Sequence, residues 1–336
     1  MDGTRRSVMA GGIAVSAVGA AQAKARDLAP PSPPPAIAEL VGEYGTPDNI
    51  LTVYESSGGL MANGRGLKTV ALKATGRDRY AGPDAELEVA RAANGTVSGV
   101  FLAHQGLPRR DFGAEIQARI RAGVHAEAAA ALRTQALAAT PPKEPPPERP
   151  ADLVDLTKVD PAIKLDIRYA GSDNFMGFPL YERAAAYMQR PAAEAVGRAL
   201  GRLKPQGFGL LIHDAYRPWF VTKMFWEATP PEGRIFVADP AEGSRHNRGC
   251  AVDLTLYTLA DGKPVEMTGR YDEMSQRSYP NYVGGTSRQR WHREVLRAAM
   301  EAEGFTVYPQ EWWHFDHKDW AQYGIGTATF TELAAR

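Results

Sequence analysis

One cysteine in 336 residues, Cys250, excludes an intramolecular disulfide and a closed cysteine-based zinc knot. An excess of either charge is missing too: Lys+Arg and Asp+Glu both number 39, so the formal net charge is zero. Such a chain gives no electrostatic reason to expect nucleic acid or an anionic membrane surface as partner. The apolar run Val8 to Ala21 is too short, and too rich in alanine and glycine, to span a bilayer stably. A glycine-rich phosphate loop is also lacking, which weighs against a doubly wound nucleotide-binding fold.

Proline and glycine are plentiful instead, 25 and 33 residues, and they punctuate a chain long enough for two domains. Residues 1–23 read as an export signal. Thr4-Arg5-Arg6-Ser7 precedes the apolar run, and Ala21-Gln22-Ala23 offers small residues to a signal peptidase. The arginine pair resembles a twin-arginine signal, with Val8-Met9 an imperfect version of its hydrophobic positions. The expected location is periplasmic; an uncleaved tail and a cytoplasmic location are the alternative.

A proline-rich spacer, residues 24–36, cannot pack a core and should be extended. A small β-rich module follows at 37–112. Ile50 to Tyr54, Leu60-Met61 and Leu67 to Leu72 read as strands, and Asn94-Gly95 joins two further apolar runs as a hairpin. Residues 113–139 carry Ile116, Ile120, Val124 and Leu132 at helical spacing, which predicts one helix leading out of the module. A second proline-rich linker, 140–151, ends at a C-terminal domain, 152–336. His104 and His125 have no companions and read as surface or packing residues.

In the C-terminal domain Ile163, Leu165, Ile167 and Tyr169 alternate as in a half-buried strand. Pro191 opens a helix whose Val196, Ala199, Leu200 and Leu203 share a face, stopped by Pro205 and Gly207. Phe208 to Ile212 reads as a buried strand, 288–303 as a helix ending at Gly304, and Phe305 to Tyr308 as a strand. The irregular alternation predicts an α+β domain with a mainly antiparallel sheet and flanking helices.

Two segments carry the chemistry. Ser244-Arg-His246-Asn-Arg-Gly249-Cys250-Ala-Val-Asp253 supplies an imidazole and a carboxylate, and Glu311-Trp-Trp-His314 supplies a second pair. A turn at Gly249 could aim His246 and Asp253 at one point while Ala251 and Val252 pack inward. Two histidines and an aspartate, with the fourth tetrahedral position open, form a catalytic zinc set. Glu311 is the spare carboxylate able to take a proton from water. Cys250 reads as a small buried packing residue, and His213, His292 and His317 receive no role. Trp219, Trp226, Trp312 and Trp313 read as walls and core.

With Asp214-Ala-Tyr-Arg217-Pro, these motifs resemble the zinc D-alanyl-D-alanine dipeptidases, the group that includes the vancomycin-resistance dipeptidase. The likeness spans about residues 152–336, and Ile167-Arg-Tyr169-Ala-Gly and Met267-Thr-Gly-Arg-Tyr-Asp272 agree with it. It implies one zinc ion on His246, Asp253 and His314, with Glu311 as general base. It also implies Arg217 as the group that stabilises the oxyanion, and Tyr169, Ser244 and Asp272 as holders of the substrate's free amino end. A cationic multi-donor such as Arg217 suits an oxygen gaining charge; the plainer alternative is a loop arginine paired with Asp214. The β module loosely resembles one appended to some serine β-lactamase-like proteins.

The expected activity is zinc-dependent hydrolysis of D-alanyl-D-alanine or a similar small dipeptide, with peptidoglycan fragments as further partners. The alternatives are a D,D- or L,D-carboxypeptidase acting on peptidoglycan stem peptides, and a zinc-free peptidoglycan-binding protein.

Overall fold

The computed structural model describes residues 29–111 and 113–335; the export-signal reading of residues 1–23 lies outside them. Eight antiparallel strands follow one another in chain order. They are β1 (Gly42–Thr46), β2 (Asn49–Ser56), β3 (Gly59–Gly64), β4 (Leu67–Gly76), β5 (Arg79–Gly82), β6 (Ala85–Arg91), β7 (Val97–Leu102) and β8 (Gln105–Pro108). A bridge between Tyr44 and Arg109, with Arg110 N donating to Glu43 O at 2.9 Å, joins the first strand to the chain just past the last. The meander thus comes nearly full circle, and this contact covers part of the edge of its first strand. Alternate residues, such as Leu51 and Val53, Leu60 and Ala62, Leu87 and Val89, fill its interior. Asn94-Gly95 makes the turn between β6 and β7, with Gly95 at φ +84°.

The expected single helix at 113–139 is two: α1 (Ala114–Gly123) and α2 (Ala126–Ala138). The break falls at Val124-His125, where the His125 ring accepts from Ala128 N at 3.4 Å as a helix cap. Ile120 of α1 and Ala136 of α2 are buried in the same apolar cluster as Leu210 and Phe225. The helices therefore pack as part of the C-terminal core rather than as an outgrowth of the β module. The proline-rich run that follows lies along the C-terminal domain, with Glu144 touching Arg248 and accepting from Ile325 N at 3.0 Å.

Five strands make the C-terminal sheet. Their spatial order is β10 (Ile163–Leu165), β12 (Phe208–Asp214), β13 (Ala251–Thr258), β15 (Glu311–His317) and β14 (Phe305–Tyr308); only the β10–β12 pair is parallel. A small antiparallel pair, β9 (Leu153–Asp155) and β11 (Tyr187–Gln189), lies apart. Flanking helices are α3 (Arg190–Leu203), α4 (Trp219–Ala228), α5 (Ser287–Glu301) and α6 (Phe330–Ala334). Helix α3 starts with Pro191 in its first turn and ends before Gly207, at φ +86°. Helix α5 starts on a Thr286/Gln289 capping box.

The strand expected through Tyr169 stops at Leu165. After Asp166 N donates to Ile212 O at 2.8 Å, the chain tightens into a 3-10 turn at Arg168–Ala170. That turn seats the Tyr169 ring among Phe175, Tyr181 and Phe225, so its burial comes from an aromatic cluster and not from sheet alternation.

The β module docks on the start of α5. The Glu55 carboxylate of β2 accepts from Ser287 N at 2.6 Å, a negative group at a helix N-terminus, and Tyr282 Oη donates to Glu43 at 2.9 Å.

Candidate active site

Local backbone geometry, more than spacing along the chain, assembles this site. His246 begins a 3-10 turn, His246–Arg248, that ends on Gly249 at φ +69°. The left-handed φ favours glycine there, and a Cβ would come within 2.5 Å of Leu153 Cδ2, so the end of the Leu153 side chain would have to shift to admit one. The chain then enters β13, where Ala251 and Val252 are buried and Asp253 faces His314 directly across the β13–β15 pair.

Glu311 and His314 are an odd number of residues apart and would face opposite sides of a regular strand. The ladder is irregular here: Val307 pairs with Phe315, whereas Tyr308 pairs with Glu311. This bulge brings Glu311 back toward the ligand side, with Oε2 3.6 Å from His314 Nδ1. A second irregularity, between Ile212 and Asp214 on β12, places Asp214 opposite Asp253.

Three atoms converge. His246 Nε2 lies 3.1 Å from His314 Nδ1 and 3.2 Å from Asp253 Oδ1, and the third side of the triangle is 3.1 Å. A tetrahedral ion with nitrogen and oxygen donors at about 2.0–2.1 Å separates them by about 3.3–3.4 Å, so the triangle fits one ion. The other ring nitrogens are committed: His246 Nδ1 donates to Ala215 O at 2.6 Å and His314 Nε2 to Asp316 Oδ1 at 2.8 Å. These bonds leave a lone pair on each converging nitrogen. Tyr271 Oη donates to Asp253 Oδ2 at 3.0 Å, while buried Oδ1 has no hydrogen-bond partner. Two imidazole lone pairs and an orphaned carboxylate oxygen facing one point suit a cation and little else.

The charges of these groups shift one another's protonation. Burial acts to raise Asp253, but the two imidazoles prevail and hold it well below the usual carboxylate range. His314 is the converse: burial alone would lower it, and Asp316 and Asp253 lift it well above the ordinary histidine value. Burial pushes Glu311 up to about 7, with His314 opposing and the Asp253 charge adding. A carboxyl tuned to that range suits proton transfer near neutrality.

A cavity of about 340 Å³ opens on the three ligands and also takes in Tyr169, Arg217, Ser244, Asp272 and Glu311. Every residue given a catalytic, metal or substrate role in the sequence therefore lines this cavity. Arg217 Nε donates to Asp214 Oδ2 at 2.9 Å, so the pairing that would make it an ordinary arginine is real. It does not remove Arg217 from the cavity, because Asp214 holds the guanidinium with Nη2 3.8 Å from Asp253 Oδ2. Tyr169 Oη donates to the Asp272 carboxylate, 3.0 and 2.9 Å from its two oxygens. Asp272 stands at φ +58°, and burial, then the Asp253 charge, pushes its carboxyl well above the usual range. Ser244 accepts from His246 N at 3.2 Å and so also caps the turn that carries a ligand.

Residue-level reading missed two partners, Asp316 and Tyr271, and raised a third, Asp214, only as the alternative reading of Arg217. Asp316 and Tyr271 hold candidate ligands, and Asp214 holds Arg217. The spacing of His314 and Asp316, two apart on a strand and hence on one face, is a signal that could have revealed the first. Cys250 is fully buried, and burial pushes its thiol up to about 12, in keeping with packing and not ligation. The ring of His213 lies 4.6 Å from that of Tyr271, with Nδ1 3.3 Å from Asp166 O, and His292 Nδ1 is 3.0 Å from Glu266 O.

Residues 149–332 match the peptidase M15 family, D-ala-D-ala dipeptidase. The chain belongs to that family. It is 34% identical over 174 residues to the D-alanyl-D-alanine dipeptidase of Escherichia coli K12, covering 52% of this chain and 89% of the relative. The enzyme of the same name from Enterococcus faecium is 34% identical over 182 residues, 49% of this chain and 90% of the relative. That of Streptomyces coelicolor is 33% identical over 186 residues, 50% and 92%. The family segment contains all three candidate ligands, Glu311 and Arg217.

Proposed function

We propose that the protein is an exported zinc dipeptidase that hydrolyses D-alanyl-D-alanine or a similarly small dipeptide. The observation that carries the metal reading is the converging triangle of His246, Asp253 and His314, with its orphaned carboxylate oxygen. Family membership and the relatives' shared name support the substrate class. Zinc on these donors would supply Lewis acidity that lowers the pKa of water from about 15.7 toward about 7.

The chain's own groups do the rest. Glu311 takes the proton of the attacking water and returns it to the leaving nitrogen as the C–N bond breaks. Arg217, held by Asp214, donates to the carbonyl oxygen as it becomes anionic. Asp272, held by Tyr169, meets the substrate's ammonium in a charge-assisted pair, which favours a free dipeptide over a longer chain. Buried Tyr169 and Trp313 wall the site and limit water.

The test compares hydrolysis of D-Ala-D-Ala and of a stem pentapeptide, each with and without a chelator. Chelator-sensitive release of D-alanine from the dipeptide, with the pentapeptide a far poorer substrate, is expected. Preference for the pentapeptide would make the protein a carboxypeptidase on the same metal site, and chelator-insensitive turnover would remove the metal from the reaction.

Among the described residues no helix is long and apolar enough to cross a membrane. Export rests on the sequence at 1–23 alone. Protein recovered from the periplasm is expected to begin at Lys24; an intact Met1 on that material would contradict cleavage.

A further inference from the structure

Helix α1 precedes the matched residues 149–332, yet it contacts three segments that line the active-site cavity. Gln117 Nε2 donates to the main-chain oxygen of Asp272 at 2.9 Å. Arg121 Nη2 donates to Asn174 O at 2.8 Å, beside the cavity residue Phe175. On the other side Arg119 pairs with Glu232, and a Cβ on Gly233 would come within 2.9 Å of Ile116 Cγ2. Those two residues belong to the turn Pro231–Phe236, whose Arg234, Ile235 and Phe236 also line the cavity. Just before the helix, Gly113 lies against the Asp272 loop: a Cβ there would come within 2.9 Å of Met274 N.

The Asp272 contact has the clearest consequence. Asp272 stands at φ +58°, a left-handed conformation that aspartate tolerates better than most residues but that still costs energy, so contacts that hold the loop help to keep it there. Tyr169 holds the carboxylate end of the residue, and Gln117 holds its backbone end. Gln117 reaches the loop from 155 residues away in sequence. The relatives, by contrast, are almost spanned by matches to about half of this chain.

We propose that Gln117 is a positioning residue for Asp272, so that the segment before the family domain completes the substrate's amino-end site. This rests on the reading of Asp272 as the group that meets the substrate ammonium. Binding of the dipeptide then depends on α1, through its contact with the Asp272 loop.

The experiment is a double-mutant cycle on the full chain, with kcat and KM measured for D-Ala-D-Ala. Gln117→Met keeps the length of the side chain and removes the donor. Loss of one such hydrogen bond is expected to raise KM about fivefold and to leave kcat nearly unchanged, the pattern of lost uniform binding. In an Asp272→Asn background the same substitution should change KM less than about twofold, because its route of action is already gone. An unchanged KM in Gln117→Met, or an equal rise in both backgrounds, would overturn the proposal. Should Gln117→Met not fold, Gln117→Asn, one methylene too short to reach, makes the same cut. Normal kinetics in Asp272→Asn alone would show that the reading of Asp272 itself is wrong, and the role of Gln117 would fall with it.

Discussion

Glu311→Gln is expected to lower kcat for dipeptide hydrolysis by about 10³, within the range of 10²–10⁴ typical of general acid–base groups, while bound metal stays at the wild-type level. Glutamine preserves the shape of the side chain and cannot take a proton. Glu311 sits 3.6 Å from a ligand nitrogen without belonging to the converging triangle, so its loss should spare the ion. Burial places its carboxyl near 7, where it can both accept and return a proton. Steady-state kinetics with metal content measured on the same preparation checks this. A variant that keeps its metal and most of its kcat would show that some other base serves the reaction.

Arg217→Ala should cost about 10² or more in kcat, on the scale of losing a single oxyanion donor. A stability loss should accompany it. Asp214 is fully buried; burial raises its carboxyl and Arg217 is the largest influence opposing that rise. Removing the guanidinium strands a buried carboxylate, and breaking such a pair costs about 3–5 kcal/mol. Arg217→Lys separates the two effects: it keeps a cation for Asp214 and loses the rigid fork that can serve Asp214 and the substrate oxygen together. The expected result is a near-normal melting temperature with kcat still depressed. A lysine variant with wild-type kcat would reduce Arg217 to a structural ion pair.

The candidate ligand set was legible because its residue types are informative in combination: two histidines and two carboxylates flank a glycine turn and a tryptophan pair. Their convergence was not. That Asp253 faces His314 depends on strand register, which is set by pairing across the sheet. That Glu311 comes within 3.6 Å of His314 depends on a bulge, and no local residue preference announces it. The orienting groups Asp316 and Tyr271 were hidden for a different reason: such residues look like ordinary polar positions until the candidate ligand they hold is located. In the fold, the mainly antiparallel sheet followed from the irregular order of helical and strand patterns. The near-closure of the eight-stranded meander did not, because a bridge such as Tyr44–Arg109 leaves no periodic signature. The alanine-rich stretch at 114–138 read as a link between domains, since alanine satisfies helix propensity without saying which core receives it.

Metal analysis of the purified full chain, beside the same measurement on His246→Ala, tests the central claim most directly. The geometry predicts about one zinc per chain, following three-ligand catalytic sites, and a near-complete loss in the variant, with dipeptide hydrolysis disappearing in proportion. Less than about a tenth of an equivalent in the wild type, with no gain in activity on adding zinc, would contradict a metal-dependent site, because such ligands bind their ion as part of the folded state.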